Sequence, residues 1–264
     1  MSASHWEREH LAESILAALT AAGKDIDTLT VDDLAVTDQF HGGGKPATLR
    51  LARLLGARAG MRVLDVGGGL GGPARTLAAE FGCQVTVVDL TESFVRAGRE
   101  LTARLRLAGR VSHHVGNALD LQLPPGAFDV VWTQNSGMNI ADKERLYAGF
   151  HRVLRPGGLL ALQEPMAGPV QPPVFPLMWA RDASTSFLRP PEAMRALIAR
   201  AGFVERAWQD VTAETAGPAT AESVPAHSAQ RLIMGDALDA ILRANHVNRA
   251  EGRMVSSQAL FERP

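Results

Sequence analysis

One cysteine, Cys83, and one tyrosine, Tyr147, occur in the 264 residues. A single thiol closes no internal disulfide, which excludes a disulfide-stapled secreted domain. Cys83 itself reads as a small buried apolar residue rather than a nucleophile. Long apolar runs are also missing: nothing approaches the roughly 18 consecutive apolar residues of a membrane span. The opening MSASHWEREHLAES carries acidic residues and no signal-peptide core, so a soluble, cytoplasmic protein is expected. Neither charge sign is in excess, with 27 Lys and Arg against 28 Asp and Glu. That balance argues against a nucleic-acid partner and for a small-molecule substrate. None of the eight histidines stands at a metal-ligand spacing beside an acidic partner, so no metal is expected.

What is present is a 46% hydrophobic chain with a legible alternation of elements from residue 60 onward. MRVLDV (61–66), QVTVVDL (84–90), VSHHVG (111–116), AFDVVWTQ (127–134) and LLALQEP (159–165) read as strands. PARTLAAEF (73–81), TESFVRAGRELTARLRLAG (91–109) and DKERLYAGFHRVLR (142–155) read as helices between them. Such alternation predicts an α/β fold, a mostly parallel sheet covered on both faces. A helix over 192–203, a strand over 205–212, a helix over 229–245 and a last strand over 253–263 follow. Residues 1–56, with helices over 5–22 and 46–56 joined by a polar connector, are expected to form an N-terminal helical cap on a domain of 57–264. Residues 166–191 hold six of the fifteen prolines, too many for regular structure, and read as a substrate lid or a surface loop.

The turn after the first strand, VLDVGGGLGGPART (63–76), satisfies G-x-G-x-x-G through Gly67, Gly69 and Gly72, a pattern that commonly cradles a dinucleotide. Asp65 argues otherwise. A pyrophosphate beside a partly desolvated carboxylate is repelled, whereas a ligand bearing an ammonium group is held. S-adenosylmethionine carries such a group and a sulfonium. Asp89, ending the second strand, suits ribose hydroxyls of either cofactor. In GNAL, Asn117 offers an amide to an adenine edge, with Ala118 and Leu90 flanking the ring; its plainer reading is a turn residue.

VLDVGGGLGG, VTVVDLT, GNALDL, FDVVWTQ and VLRPGGLLALQEP stand in the order found in class I S-adenosylmethionine-dependent methyltransferases, and the chain resembles that family over residues 35–212. DQFHGGG (38–44), MNIADK (138–143) and FPLMWARD (175–182) bring it near the sarcosine and dimethylglycine N-methyltransferases and their small-molecule relatives. The resemblance implies a Rossmann-like seven-stranded sheet whose final strand is antiparallel. It also implies methyl transfer to a small molecule, foremost an amine nitrogen, with carbon and oxygen acceptors open. Gly68 stands where Cys, Ser or Thr is common, Asn117 where Asp is usual, and Asn135, Ser136 and Gly137 where His or bulkier apolar residues are frequent.

The expected cofactor contacts are Gln39, Asp65, Gly67, Gly69, Asp89, Leu90, Asn117, Ala118 and Gln134. His41 and Glu164 are the candidate catalytic groups. His41, before three glycines, and Asn135, Met138, Asn139, Trp179 and Arg181 are the candidate acceptor contacts. Trp179 would attract a cationic acceptor through its ring, and Arg181 would pair with a carboxylate. Trp6 and Leu11 suit a homodimer contact as well as an internal one. A nicotinamide oxidoreductase is the competing enzyme; it predicts an apolar residue at 65 and a Tyr-Lys pair, neither of which is present. A non-catalytic cofactor-binding protein is the third reading, and it predicts an acceptor pocket filled by side chains.

Overall fold

The computed structural model describes residues 6–217 and 220–264. Three helices, α1 (Leu11–Ala21), α2 (Val31–Asp38) and α3 (Gly44–Leu55), precede the alternating part. It runs β1 (Arg62–Val66), α4 (Gly72–Phe81), β2 (Gln84–Asp89), α5 (Glu92–Arg104), β3 (Val111–Val115), β4 (Phe128–Gln134), α6 (Lys143–Val153) and β5 (Leu154–Ala167). After α7 (Pro191–Arg200) and β6 (Val204–Asp210), helices α8 (Ala229–Met234) and α9 (Leu238–Ala250) lead into β7 (Met254–Glu262).

The seven strands lie in the order β3-β2-β1-β4-β5-β7-β6. Only β7 runs against its neighbours, pairing antiparallel with β5 and β6, as the sequence predicts. The central strands are apolar on both faces because helices cover both. Leu64, Val131 and Leu160 pack with Leu146 and Phe150 of α6, while Val63, Val130 and Trp132 pack with Leu51 and Leu55 of α3 and Leu77 of α4. Successive strand residues thus divide between two cores, as the pleat requires.

Three expectations need correction. VDDLAVTD is not a polar connector but α2: Thr30 accepts from Asp33 N and the Asp33 side chain accepts from Thr30 N, a complete capping box. The helix expected over 229–245 is two helices, because Gly235 adopts φ 51° and ψ −131°, a conformation open to glycine and closed to residues with a Cβ. The first helix starts at Leu11 rather than 5, since His10 takes a left-handed φ of 52°; residue 5 lies outside the described residues.

Helices α1 and α2 share a separate apolar cluster with α8 and α9, in which Ile15, Leu19 and Leu34 meet Leu238, Ile241 and Leu242 over Phe94 and Leu101 of α5. Helix α3 belongs instead to the sheet core. Leu11 lies in the cap cluster, and Trp6 packs edge-on against Phe40 at 5.6 Å between ring centroids and near Phe94 at 6.2 Å. Both residues are therefore engaged within the chain.

Candidate active site

Strand order reverses between β1 and β4, so the loops leaving their carboxyl ends part and open a crevice. A cavity of about 510 Å3 lies there, within the ~300–1,000 Å3 range of small-molecule sites. Its floor is the glycine turn after β1 and the ends of β2, β3 and β4. Its roof comes from elsewhere: the segment from Ala35 to Gly44, Leu177 to Trp179, and α8 and α9. The cavity is open rather than filled by side chains.

The turn is tight for identifiable reasons. Gly67 holds φ +70°, and a Cβ there would overlap Ser136. At Gly68 a Cβ would stand 2.6 Å from Asp65 Oδ2 and 2.8 Å from Val87 Cγ1. At position 68 Asp65 and Val87 fill the space that a side chain would need.

Asp65 is 1% exposed, its Oδ2 has no hydrogen-bond partner, and burial, with Asp89 adding repulsion, pushes its pKa up to about 8. An orphaned buried carboxyl beside an open cavity asks for a donor or a cation from the ligand. Asp89 is fixed differently. Its Oδ2 accepts from Gly69 N and its Oδ1 from Thr91 N, both at 2.9 Å. Burial raises its pKa and these backbone donors counter it, leaving further lone pairs for hydroxyl groups. Leu90, Asn117 and Ala118 also line the cavity. Asn117 is a turn residue: its Oδ1 accepts from Leu119 N at 2.9 Å, a turn that leaves the amide NH2 unused.

Gln39, His41 and Gln134 meet around Thr48. His41 Nε2 lies 2.9 Å from Gln39 Oε1 and 3.1 Å from Thr48 Oγ1, and Nδ1 lies 3.2 Å from Gly42 O. Thr48 Oγ1 reaches Gln39 Oε1 at 2.9 Å and Gln134 Oε1 at 3.1 Å, and Gln134 Oε1 also accepts from Trp132 Nε1. Burial lowers the His41 pKa to about 4, so the ring is neutral at neutral pH. Although His41 lines the cavity, both its ring nitrogens face protein oxygens.

Glu164 does not reach the cavity, contrary to expectation. It lies beneath the turn after β4, where its Oε1 accepts from Gly137 N at 2.8 Å and Ser136 N at 3.3 Å. Burial raises its pKa, offset by these donors and by Lys143. Glu164 therefore shapes the Ser136–Asn139 turn through Oε1, while its Oε2 is buried without a partner. Arg181 is a second departure from expectation: it is exposed and absent from the cavity wall. Trp179 is buried, lines the cavity and donates from Nε1 to Ser186 Oγ at 3.1 Å. Asn135, Met138 and Asn139 line it too, and Asn135 takes a left-handed φ of 53° with its Oδ1 3.3 Å from Gln163 Nε2.

The sequence reading missed the second half of the roof. Val224, Ile233, Ile241, Leu242, Asn245 and Arg249 all face the cavity. The apolar spacing of α9 was visible, but only the fold shows that its face closes this crevice.

A family model described as a methyltransferase domain matches residues 63–158. The chain carries a methyltransferase domain. The strand order and the single reversed strand give the chain a Rossmann-like architecture. The glycine/sarcosine/dimethylglycine N-methyltransferase of Actinopolyspora halophila is 40% identical over 106 residues, 40% of this chain and 19% of that protein. Other relatives are named as sterol C-methyltransferase and tocopherol O-methyltransferase, and the chain spans about 30% of each. Among solved structures, geranyl diphosphate C-methyltransferase from Streptomyces coelicolor, with S-adenosylhomocysteine bound, has a TM-score of 0.69 at 19% identity, covering 97% of this chain and 98% of that one. The [4+2]-cyclase SpnF matches with a TM-score of 0.68 at 21% identity, covering 95% and 94%. A shared fold therefore hosts more than one reaction, and function rests on the site.

Proposed function

We propose that this chain transfers the methyl group of S-adenosylmethionine to a small-molecule acceptor, at an amine nitrogen. The observation that carries this reading is the orphaned, buried carboxyl of Asp65 at one end of a continuous cavity. A nicotinamide dinucleotide would bring a pyrophosphate to that same turn; an amino-acid ammonium answers the carboxyl.

When bound, S-adenosylmethionine supplies an electrophilic methyl group on a sulfonium. Asp65 would accept from its ammonium, Asp89 from its ribose hydroxyls, and the Asn117 amide would meet its adenine edge between Leu90 and Ala118. The Gln39–Thr48–Gln134 network braces the roof at His41. The rest of the work is positioning and exclusion of water.

An amine suits the chamber because it needs no protein base once neutral, and apolar walls disfavour the ammonium form. Neither candidate base turns a free lone pair to the cavity: His41 faces protein oxygens and Glu164 lies below. The walls at Leu177, Met178, Ile241, Leu242 and Met254 favour an amine on an apolar body over glycine itself. Titration calorimetry with S-adenosylmethionine, S-adenosylhomocysteine and NADH tests the cofactor. Saturable binding of the first two, weakened by Asp65→Ala and Asp89→Ala, is expected; preference for NADH overturns the reading. Release of S-adenosylhomocysteine on adding hydrophobic amines, and not phenols, tests the acceptor.

A further inference from the structure

Arg249 sits on α9, lines the cavity and lies mostly buried. Its Nη1 donates to Thr212 O at 2.7 Å and lies 3.3 Å from Thr215 Oγ1. Its Nε is buried with no partner, and no carboxylate among the described residues pairs with it. The contrast is Arg75, fully buried, which bonds Asp38 at 2.8 Å. Arg50 also leaves its Nε unbonded, but it does not line the cavity.

A guanidinium stays charged at any physiological pH, and an uncompensated buried charge is costly. Burial even lowers the Arg249 pKa, with no opposing charge to restore it. A fork with donors to spare, facing a mostly apolar chamber, is the arrangement that recognises a planar or tetrahedral oxyanion. Asn245 stands four residues earlier on the same helix face and also lines the cavity. Thr215, which holds Arg249, packs against the His41 loop: a Cβ on Gly42 would be 3.1 Å from Thr215 Cβ. The charge therefore lies beside the roof segment that covers the donor end.

We propose that Arg249 and Asn245 form a subsite for an oxyanion carried by the acceptor, a carboxylate or a phosphate. This rests on the methyltransferase reading and narrows its substrate to an amphipathic acid. The acid binds through its negative end at Arg249 while its body fills the apolar chamber.

Octanoate, octyl phosphate and neutral octanamide are suitable probes, titrated calorimetrically into protein with and without saturating S-adenosylhomocysteine. At least one anion should bind roughly 10- to 100-fold more tightly than octanamide, the range set by charge-assisted hydrogen bonds. Which anion binds better identifies the group. Arg249→Met should erase the preference, Arg249→Lys should keep part of it, and S-adenosylhomocysteine affinity should remain within about twofold, since Arg249 lies outside the proposed cofactor contacts. Equal binding of octanamide and both anions, binding of none of them, or a preference surviving Arg249→Met overturns the subsite. Should Arg249→Met fail to fold, the wild-type preference and Arg249→Lys decide. Failure of S-adenosylhomocysteine to bind wild-type protein refutes the cofactor reading separately, because the probes are read without it as well.

Discussion

Binding of the cofactor should release a proton, and Asp65 is the reason. With its pKa pushed up to about 8, about nine in ten free copies carry the proton at pH 7. An ammonium brought to Oδ2 favours the carboxylate, so the proton leaves on binding. At pH 7 about 0.9 protons per S-adenosylhomocysteine should appear, and about 0.5 at pH 8. Apparent affinity should correspondingly rise about tenfold per pH unit below pH 8 and level off above it. The assay is titration calorimetry in phosphate and in Tris, whose ionisation enthalpies differ, with Asp65→Asn as the reference. A heat independent of buffer at pH 7, or the same buffer dependence in Asp65→Asn, would refute the pairing of this carboxyl with the ligand ammonium.

Further outcomes follow from the buried charges and the chamber. Arg75→Met leaves Asp38 buried and uncompensated and should lower unfolding free energy by about 3–5 kcal/mol; adding Asp38→Asn should recover part of this in urea titrations. His113 is held near pKa 3 by burial and by Arg75 and Arg99, so its contribution to stability is complete above its unfolded value of about 6.5 and is lost as pH falls toward 3. Between pH 7 and 5 that loss is about 2 kcal/mol, and His113→Gln should flatten the measured pH dependence by that amount. Leu242→Trp should reduce turnover on the order of 100-fold by displacing the acceptor while leaving S-adenosylhomocysteine binding intact; an equal loss of both would place Leu242 at the donor end.

The glycine turn and the strand-end carboxylates were legible in the sequence because local rules decide them. Strand periodicity placed Asp65 and Asp89 at strand ends, and the glycine spacing marked the turn between β1 and α4. Glu164 was misjudged because a strand end supplies the right edge of the sheet but not the parity: Gln163 turns toward Gly42, and Glu164 to the opposite face under Gly137. Arg181 failed for lack of any regular structure to fix its direction. Arg249 and Asn245 were invisible because no motif announces them. They reach the cavity only through the excursion between β6 and β7, whose course depends on packing against α1, α2 and α5.

The match to the methyltransferase family spans residues 63–158, which is the floor of the cavity, while the roof is drawn from segments on either side of it. Most of the proposed cofactor contacts thus lie within the matched stretch, and the apolar wall of the proposed acceptor chamber lies mostly outside it. Relatives that share the floor can diverge in chemistry without touching it, which accords with one sequence matching proteins named for nitrogen, carbon and oxygen methylation. Grafting a foreign roof onto this floor is accordingly the direct route to a changed acceptor.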